Sequence, residues 1–359
     1  MAHVRRGRAR LPLKPALVTL LRTLHATAPI RICDNGGWTD TWVARHGKVF
    51  NIAVRPLVTV RVDVFPRDSR DARVVLDVQN RGMRYAPDLL AADWGPHPLL
   101  EAALREIRPP DDIDIDVTIR SDAPAGASTG TSASVVVALL GALDRLGGGD
   151  ATKQEIAGAA HAVETVHLGQ QSGIQDQLCA AFGGANFIEI TEYPRAVVSP
   201  LPLPDPIRRE LDRRLALVYL GRPHSSSAVH EKVVRNLEQL GPDCAPLEAL
   251  RRAAEHARDA LVGGDLAALG SAMRDNTGVQ AQLHPELVHR DAWRAIEIAE
   301  AHGAAGWKVN GAGGDGGSIT FLASDEPGSK RKMVEAILAD NPRLVPIPIV
   351  ISRGGLRVW

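Results

Sequence analysis

With 359 residues, 45% of them hydrophobic and 23% charged, the chain has an ordinary globular composition and the length for two domains sharing an interface. Lysine plus arginine and aspartate plus glutamate both number 42, so no global basic field points to nucleic acid. Its three cysteines, Cys33, Cys179 and Cys244, match neither a disulfide framework nor a zinc site and fit a reducing cytosol, and no segment approaches the length of a membrane span.

Residues 1–27 read as a basic tail followed by a short amphipathic helix over 15–26; Lys14, Arg22 and His25 interrupt the apolar run that a secretory signal would need. Beyond them the pattern predicts a strand (API-RI), a glycine turn and two further strands, VFNIAV and LVTVRVDVF. The turn, DNGGWTD at 34–40, gathers polar groups round Trp38. It reads either as an Asx-type turn with a hydrophobic plug or as a sugar site, where carboxylates and amides hold hydroxyls and an aromatic lies against a ring face. His46, just after it, is a candidate to touch such a ligand.

A strand ARVVLDV and a helix near 98–106 come next. In IDIDVTIR, Ile113, Ile115, Val117 and Ile119 share one face while Asp114, Asp116 and Thr118 share the other, the period of a half-buried strand. SDAPAGASTGTSAS (121–134) follows, and then an apolar helix that stops at glycines. A strand, a Gly/Ser/Thr-rich loop and a helix together can cradle phosphate. Gly126 and Gly130 permit close backbone approach, and the helix N-terminus supplies free N–H groups and a positive dipole end. The hydroxyls of Thr129, Thr131, Ser132 and Ser134 add donors, or one reaches Mg2+. The loop is neither a Walker sequence nor a G-x-G-x-x-G, and taken alone it reads equally well as a structural turn.

A helix is predicted over 153–168, leading into the loop GQQSGIQDQ. Glu164 and Asp176, on adjoining elements, could serve as metal ligand and catalytic base; a pair of surface carboxylates would look the same. The proline-rich, charged segment 201–214 marks a domain boundary. After it come a strand, LALVYLG, and a helix capped by Ser225 that carries Val229, Val233 and Leu237 on one face. Helices over 246–263, 265–275 and 291–302, a strand–glycine turn–strand (AGWKVNGAGGDGGSITFLAS), the helix KRKMVEAILAD and two closing strands make the second half helices on a small antiparallel sheet.

Three of these stretches, RICDNGGWTD, PAGASTGTSAS and KVNGAGGDGG, resemble in order and separation the three motifs of the GHMP kinases (galactokinase, homoserine kinase, mevalonate kinase, phosphomevalonate kinase), a likeness spanning residues 28–359. Within that family GGWTDT and SGIQDQ are similar to the L-fucose kinase and D-glycero-D-manno-heptose 7-phosphate kinase groups, which are sugar 1-kinases, and LVYLGRPHSSS is similar to the heptose kinases. The resemblance implies an α+β, two-domain fold. Its N-terminal domain, like ribosomal protein S5 domain 2, would span 28–204, and a ferredoxin-like domain 205–359. It further implies a cytoplasmic, ATP- and Mg2+-dependent kinase, monomer or homodimer, without nucleic-acid or membrane partners. Such an enzyme would phosphorylate the anomeric hydroxyl of a fucose-like sugar or a heptose 7-phosphate-like sugar phosphate, feeding nucleotide-sugar synthesis.

Carried over residue by residue, Asp176 matches the aspartate that takes the acceptor hydroxyl's proton, and Arg31 its basic neighbour. Pro124, Gly126, Ser128, Thr129, Gly130, Thr131, Ser132 and Ser134 match the phosphate loop, and Ser132 with Glu164 the Mg2+ ligands. Gly37, Trp38, Thr39, Asp40, His46, Gly173, Gln175, Gly313 and Gly314 fall on the substrate side. The chain departs from the family pattern at Ser128, Thr129 and Thr131 of the loop. It also departs at Cys33 and Asp34, and at Asp315, whose charge would repel phosphates and is expected to face solvent. A heptose 7-phosphate would need a basic pocket, for which Arg45 and Lys48 are candidates by position. A non-catalytic sugar- or nucleotide-binding sensor and a kinase of another alcohol, such as mevalonate, are the alternatives.

Overall fold

The computed structural model describes residues 19–222 and 227–359, so the basic tail and Ser225 lie outside the described residues. Two long strands, β1 (Arg22–Asn35) and β2 (Gly47–Pro66), pair antiparallel. They are followed by β3 (Val74–Val78), β4 (Met83–Tyr85), α1 (Pro98–Glu106), β5 (Ile113–Ser121), α2 (Thr131–Leu146), α3 (Lys153–Ala162), α4 (Gln175–Phe182), β6 (Ala185–Glu192) and β7 (Arg195–Leu201). The second half runs α5 (Asp205–Arg214), β8 (Leu215–Tyr219), α6 (Ser227–Leu240), α7 (Ala245–Val262), α8 (Leu266–Leu283), α9 (Arg290–Ala301), β9 (Gly306–Val309), β10 (Ser318–Leu322), α10 (Ser329–Asp340), β11 (Val345–Ile347), β12 (Val350–Ile351) and β13 (Arg357–Val358). This is the two-domain α+β fold.

The large sheet has the order β13-β1-β2-β5-β3-β4, with β6 on the first part of β2 and β7 beyond it. Alternating Val58, Val60, Val62 and Val64 of β2 meet Val136, Val137 and Leu140 of α2 in the first core. The small antiparallel sheet, β11-β8-β10-β9, buries Val218, Ile319 and Phe321 against Ile296 of α9 and Met333 of α10. Between the sheets lie α7 and α8, whose Ala257, Leu261, Leu269 and Met273 share one core with Ile30 and Ile32 of β1 and with Leu215 and Leu217 of β8. That shared core fixes the end of β1 against the second half of the chain.

Three expectations are corrected, and one segment gains an element. Residues 22–26 are strand rather than helix: Leu24 and Ala26 are buried while Thr23 and His25 are half-buried, and the ladders to β2 and, at Ala26 and Thr27, to β13 decide the conformation. The two strands expected at 49–65 are one. Its register on β1 jumps from Leu57 opposite Pro29 to Val54 opposite Ile30, which leaves Pro56, lacking an N–H, out of the ladder. The boundary segment 201–214 holds the helix α5, which buries Leu211 and carries the intrahelical pairs Arg208–Asp212 and Arg213–Glu210. Finally, β12 and β13 join β2 and β1 of the large sheet, so sheet membership does not follow a division at 204/205.

Candidate active site

The loop between β5 and α2 holds three left-handed residues, Gly126 (φ 73°), Ser128 (φ 55°) and Gly130 (φ 68°). Gly130 is required: a Cβ there would lie 3.1 Å from Asp176 Cγ and 3.3 Å from Arg31 Cγ. The loop is pinned from three sides. Arg31 N donates to Thr129 O (2.9 Å), Ser318 Oγ to Ala127 O (2.6 Å) and Ser134 Oγ to Pro29 O (2.7 Å). Residues 126–133 thereby line a cavity at the N-terminus of α2, with Glu164 on its wall. Such an end binds anions through unpaired N–H groups and the helix dipole.

A second cavity adjoins the first and shares Arg31, Asp176, Gly311 and Ala312 with it. Its own lining includes Asp34, Gly37, Trp38, Asp40, Ser172, Gly173, Gln175 and His230. On the partition the Arg31 guanidinium grips Asp176 in a fork, Nε to Oδ1 at 2.7 Å and Nη2 to Oδ2 at 3.2 Å, while Nη1 donates to Ser128 O. Burial alone would favour neutral arginine. Asp176 and Asp34 together outweigh it and raise the Arg31 pKa above its ordinary value.

The acceptor-side groups are equally constrained. Asp40 Oδ2 accepts from Gln175 N (3.1 Å), and burial pushes its pKa up to about 6 against that hydrogen bond. Gly173 makes room, since a Cβ there would meet Asp40 Oδ2 at 2.1 Å. Trp38 is left-handed (φ 79°), a costly backbone for a bulky residue, and its indole stacks on His230 of α6 with ring centroids 4.9 Å apart. Its Nε1 has no hydrogen-bond partner among the described residues. Behind them Asp34 accepts from Gly311 N (2.9 Å) and faces the buried Lys308 Nζ at 3.4 Å, linking the first motif to the third.

Glu164 sits in a single π turn, Val163–His167, that continues α3, a local distortion common at functional sites. Ser172 Oγ donates to it at 2.5 Å, and burial raises its pKa to about 7. The exposed Ser132 hydroxyl opens on the same cavity. A carboxylate and a hydroxyl on a cavity at a helix N-terminus are the hard oxygen donors a divalent cation such as Mg2+ takes, so these residues fit one.

Several expected contacts lie elsewhere. Thr39 is buried, with Oγ1 donating to Gly36 O (2.7 Å), and braces the turn instead of lining the cavity. His46 Nε2 pairs with Asp243 at the surface (2.8 Å), and Lys48 with Glu255 (2.5 Å); Arg45 is exposed, and none of the three lines the acceptor cavity. Pro124 and Ser134 are outside the cavity at the N-terminus of α2, the latter because its hydroxyl is spent on β1. Gly313 and Gly314 pack against Leu287, where a Cβ on Gly313 would meet its carbonyl oxygen at 2.1 Å, so they shape the third turn without reaching either cavity. Asp315 is exposed. The lining residue His230 carried no motif signal, while Ser172, Lys308 and Asp34 lay within quoted motifs without being singled out for a role at the site.

The chain matches the family models for the GHMP kinases N terminal domain over residues 98–184 and for the GHMP kinases C terminal domain over residues 249–341. It is 31% identical over 258 residues to a mevalonate kinase of Pyrococcus horikoshii, covering 68% of this chain and 69% of that protein. A D-glycero-alpha-D-manno-heptose 7-phosphate kinase of Campylobacter jejuni is 28% identical over 242 residues, 67% of this chain and 69% of that one. In fold, the chain superposes on a D-glycero-D-manno-heptose 1-phosphate kinase from Bacteroides thetaiotaomicron with a TM-score of 0.71 at 22% identity, covering 94% of this chain and 98% of that one. Among the described residues no helix is long and apolar enough to cross a membrane.

Proposed function

The chain belongs to the GHMP kinases, and on that premise we propose that it transfers the γ-phosphoryl group of ATP to the anomeric hydroxyl of a fucose-like sugar or a heptose 7-phosphate-like sugar phosphate. The observation that carries this is the Arg31–Asp176 fork on the partition between a phosphate cradle and a polar, aromatic-walled cavity. The acceptor lies in the cavity of Trp38 and Asp40, and the triphosphate on the loop 126–133. The hydroxyl proton passes to an Asp176 carboxylate oxygen as the acceptor oxygen bonds to the γ-phosphorus, and the bond from that phosphorus to the ADP oxygen breaks. Loop N–H groups at the N-terminus of α2 neutralise charge on the transferring oxygens, while the Arg31 guanidinium holds the Asp176 carboxylate in place. Mg2+, held by Ser132 and Glu164 when bound, would offset the charge of the phosphates.

A coupled ADP-release assay with a sugar panel tests this. Asp176→Asn is expected to lower kcat by about 10²–10⁴-fold while nucleotide binding and melting temperature stay near wild type. Full activity in that variant would remove Asp176 from the proton transfer. A second reading, a kinase of mevalonate or another non-sugar alcohol, draws on the similarity to the Pyrococcus horikoshii enzyme. The SGIQDQ loop and the Trp38–His230 stack favour a sugar.

A further inference from the structure

Resting on the sugar-kinase reading, we propose that the acceptor is an uncharged sugar and that the cavity's own carboxylates exclude sugar phosphates and acidic alcohols. Asp34, Asp40 and Asp176 line this cavity, and among the described residues Arg31 is the one cation in its lining, 2.7 Å from Asp176 and 3.9 Å from Asp34. Arg31 is already committed, forked on Asp176 and donating to Ser128 O. The next cation, Lys308, lies behind Asp34, 1% exposed and held by Gln280 Oε1 (3.1 Å) and Val309 O, so it cannot advance to a ligand. Lys48 is paired with Glu255 and Arg45 is exposed outside the cavity, so neither supplies the basic pocket a distal phosphate would need. Asp40, at about 6, is mostly ionised at neutral pH.

The rest of the lining suits hydroxyls. Ser172 and Gln175 line the cavity with neutral polar groups, and Trp38 lines it with an indole whose buried Nε1 has no partner among the described residues. His230, whose pKa burial lowers, presents a neutral imidazole beside it. A sugar ring uses such a wall by donating hydroxyls to carboxylates and laying its apolar face on the ring. A phosphate dianion or a carboxylate in the same space meets Asp40 and the already paired Asp34 and Asp176, with no free cation among the described residues, and like charges at contact distance cost affinity steeply.

The test is kcat/KM with Mg-ATP on matched pairs. These are D-mannose and mannose 6-phosphate, D-glycero-D-manno-heptose and its 7-phosphate, with L-fucose and mevalonate alongside. At least one free sugar is expected to turn over, its phosphate ester being poorer by about a hundredfold or more. A cation placed in the wall by His230→Arg is expected to narrow that gap by about tenfold. A phosphate ester used as well as or better than its parent sugar overturns the inference and leaves the sugar-kinase reading standing. Turnover of mevalonate with no sugar used overturns both. Calorimetric titration of the Mg-ADP complex with the same pairs reads the selectivity without turnover, and tighter binding of the phosphate ester overturns the proposal independently of kcat.

Discussion

Asp40 and Glu164 are carboxylates that burial holds partly protonated at the mouths of the two cavities, with pKa values of about 6 and about 7. Both lie above an unfolded carboxylate's value of about 4, so the folded chain binds these protons more tightly than the unfolded chain does. Their stabilising contribution is therefore complete below about pH 4 and is lost as pH rises through about 6 for Asp40 and about 7 for Glu164. At about 1.4 kcal/mol per pKa unit, each is worth about 3 kcal/mol over that window. The ligand-free enzyme should accordingly lose stability, relative to Asp40→Asn and Glu164→Gln, between about pH 4 and about pH 7. Chemical denaturation of the three proteins across that range measures it. Parallel curves for wild type and both variants would mean that neither carboxyl is proton-loaded in the fold.

At the scale of elements, α2 and its loop depend on one backbone position. Gly130 is left-handed, and its missing side chain is the space into which Asp176 and Arg31 fold. Gly130→Ala adds strain of about 1–2 kcal/mol and also pushes the fork off its line. We expect kcat to fall by about ten- to a hundredfold while the protein stays folded, since small misplacements of reacting groups are costly. Unchanged kcat with lowered stability would show that the loop yields and the fork does not. Much of this architecture was legible in the sequence. The alternation of Ile113, Ile115, Val117 and Ile119 announced β5, and the glycines after it announced the turn into α2. What was lost had non-local causes. Arg22 to Ala26 are strand because β2 and the far C-terminal β13 pair with them, and Pro56 escapes the ladder through a bulge set by β1. The closing strands could not be assigned to the large sheet, because their partners lie about three hundred residues earlier.

Across the whole molecule the site exists only where the two sheets are held together, and that explains which of its members the sequence concealed. Asp176, Arg31 and Asp40 lie in motifs whose spacing can be read locally. His230 reaches the cavity only because α6 packs Val233 and Leu237 against the turn of Trp38. Lys308 opens the third motif, but its part in the site shows only when Asp34 and Gln280 are brought round it. The same junction includes Gly36 N on Asn276 Oδ1 (2.7 Å), Cys33 N on Asn310 Oδ1 (3.2 Å) and Gly311 N on Asp34 Oδ2 (2.9 Å), so the substrate turn of β1 is fastened to α8 and to the β9–β10 turn. Lys308→Met strips Asp34 of its nearer cation in a dry site, which for a buried pair costs about 3–5 kcal/mol. Asp34→Asn leaves the ammonium with Gln280 and a carbonyl, and should cost less. If the pair fastens the two halves, the double variant Asp34→Asn/Lys308→Met will be more stable than the sum of the single losses predicts, by about 2 kcal/mol. Denaturant titrations of the four proteins close the cycle. Additive losses would mean that the backbone hydrogen bonds alone hold the junction and that Lys308 is merely tolerated there.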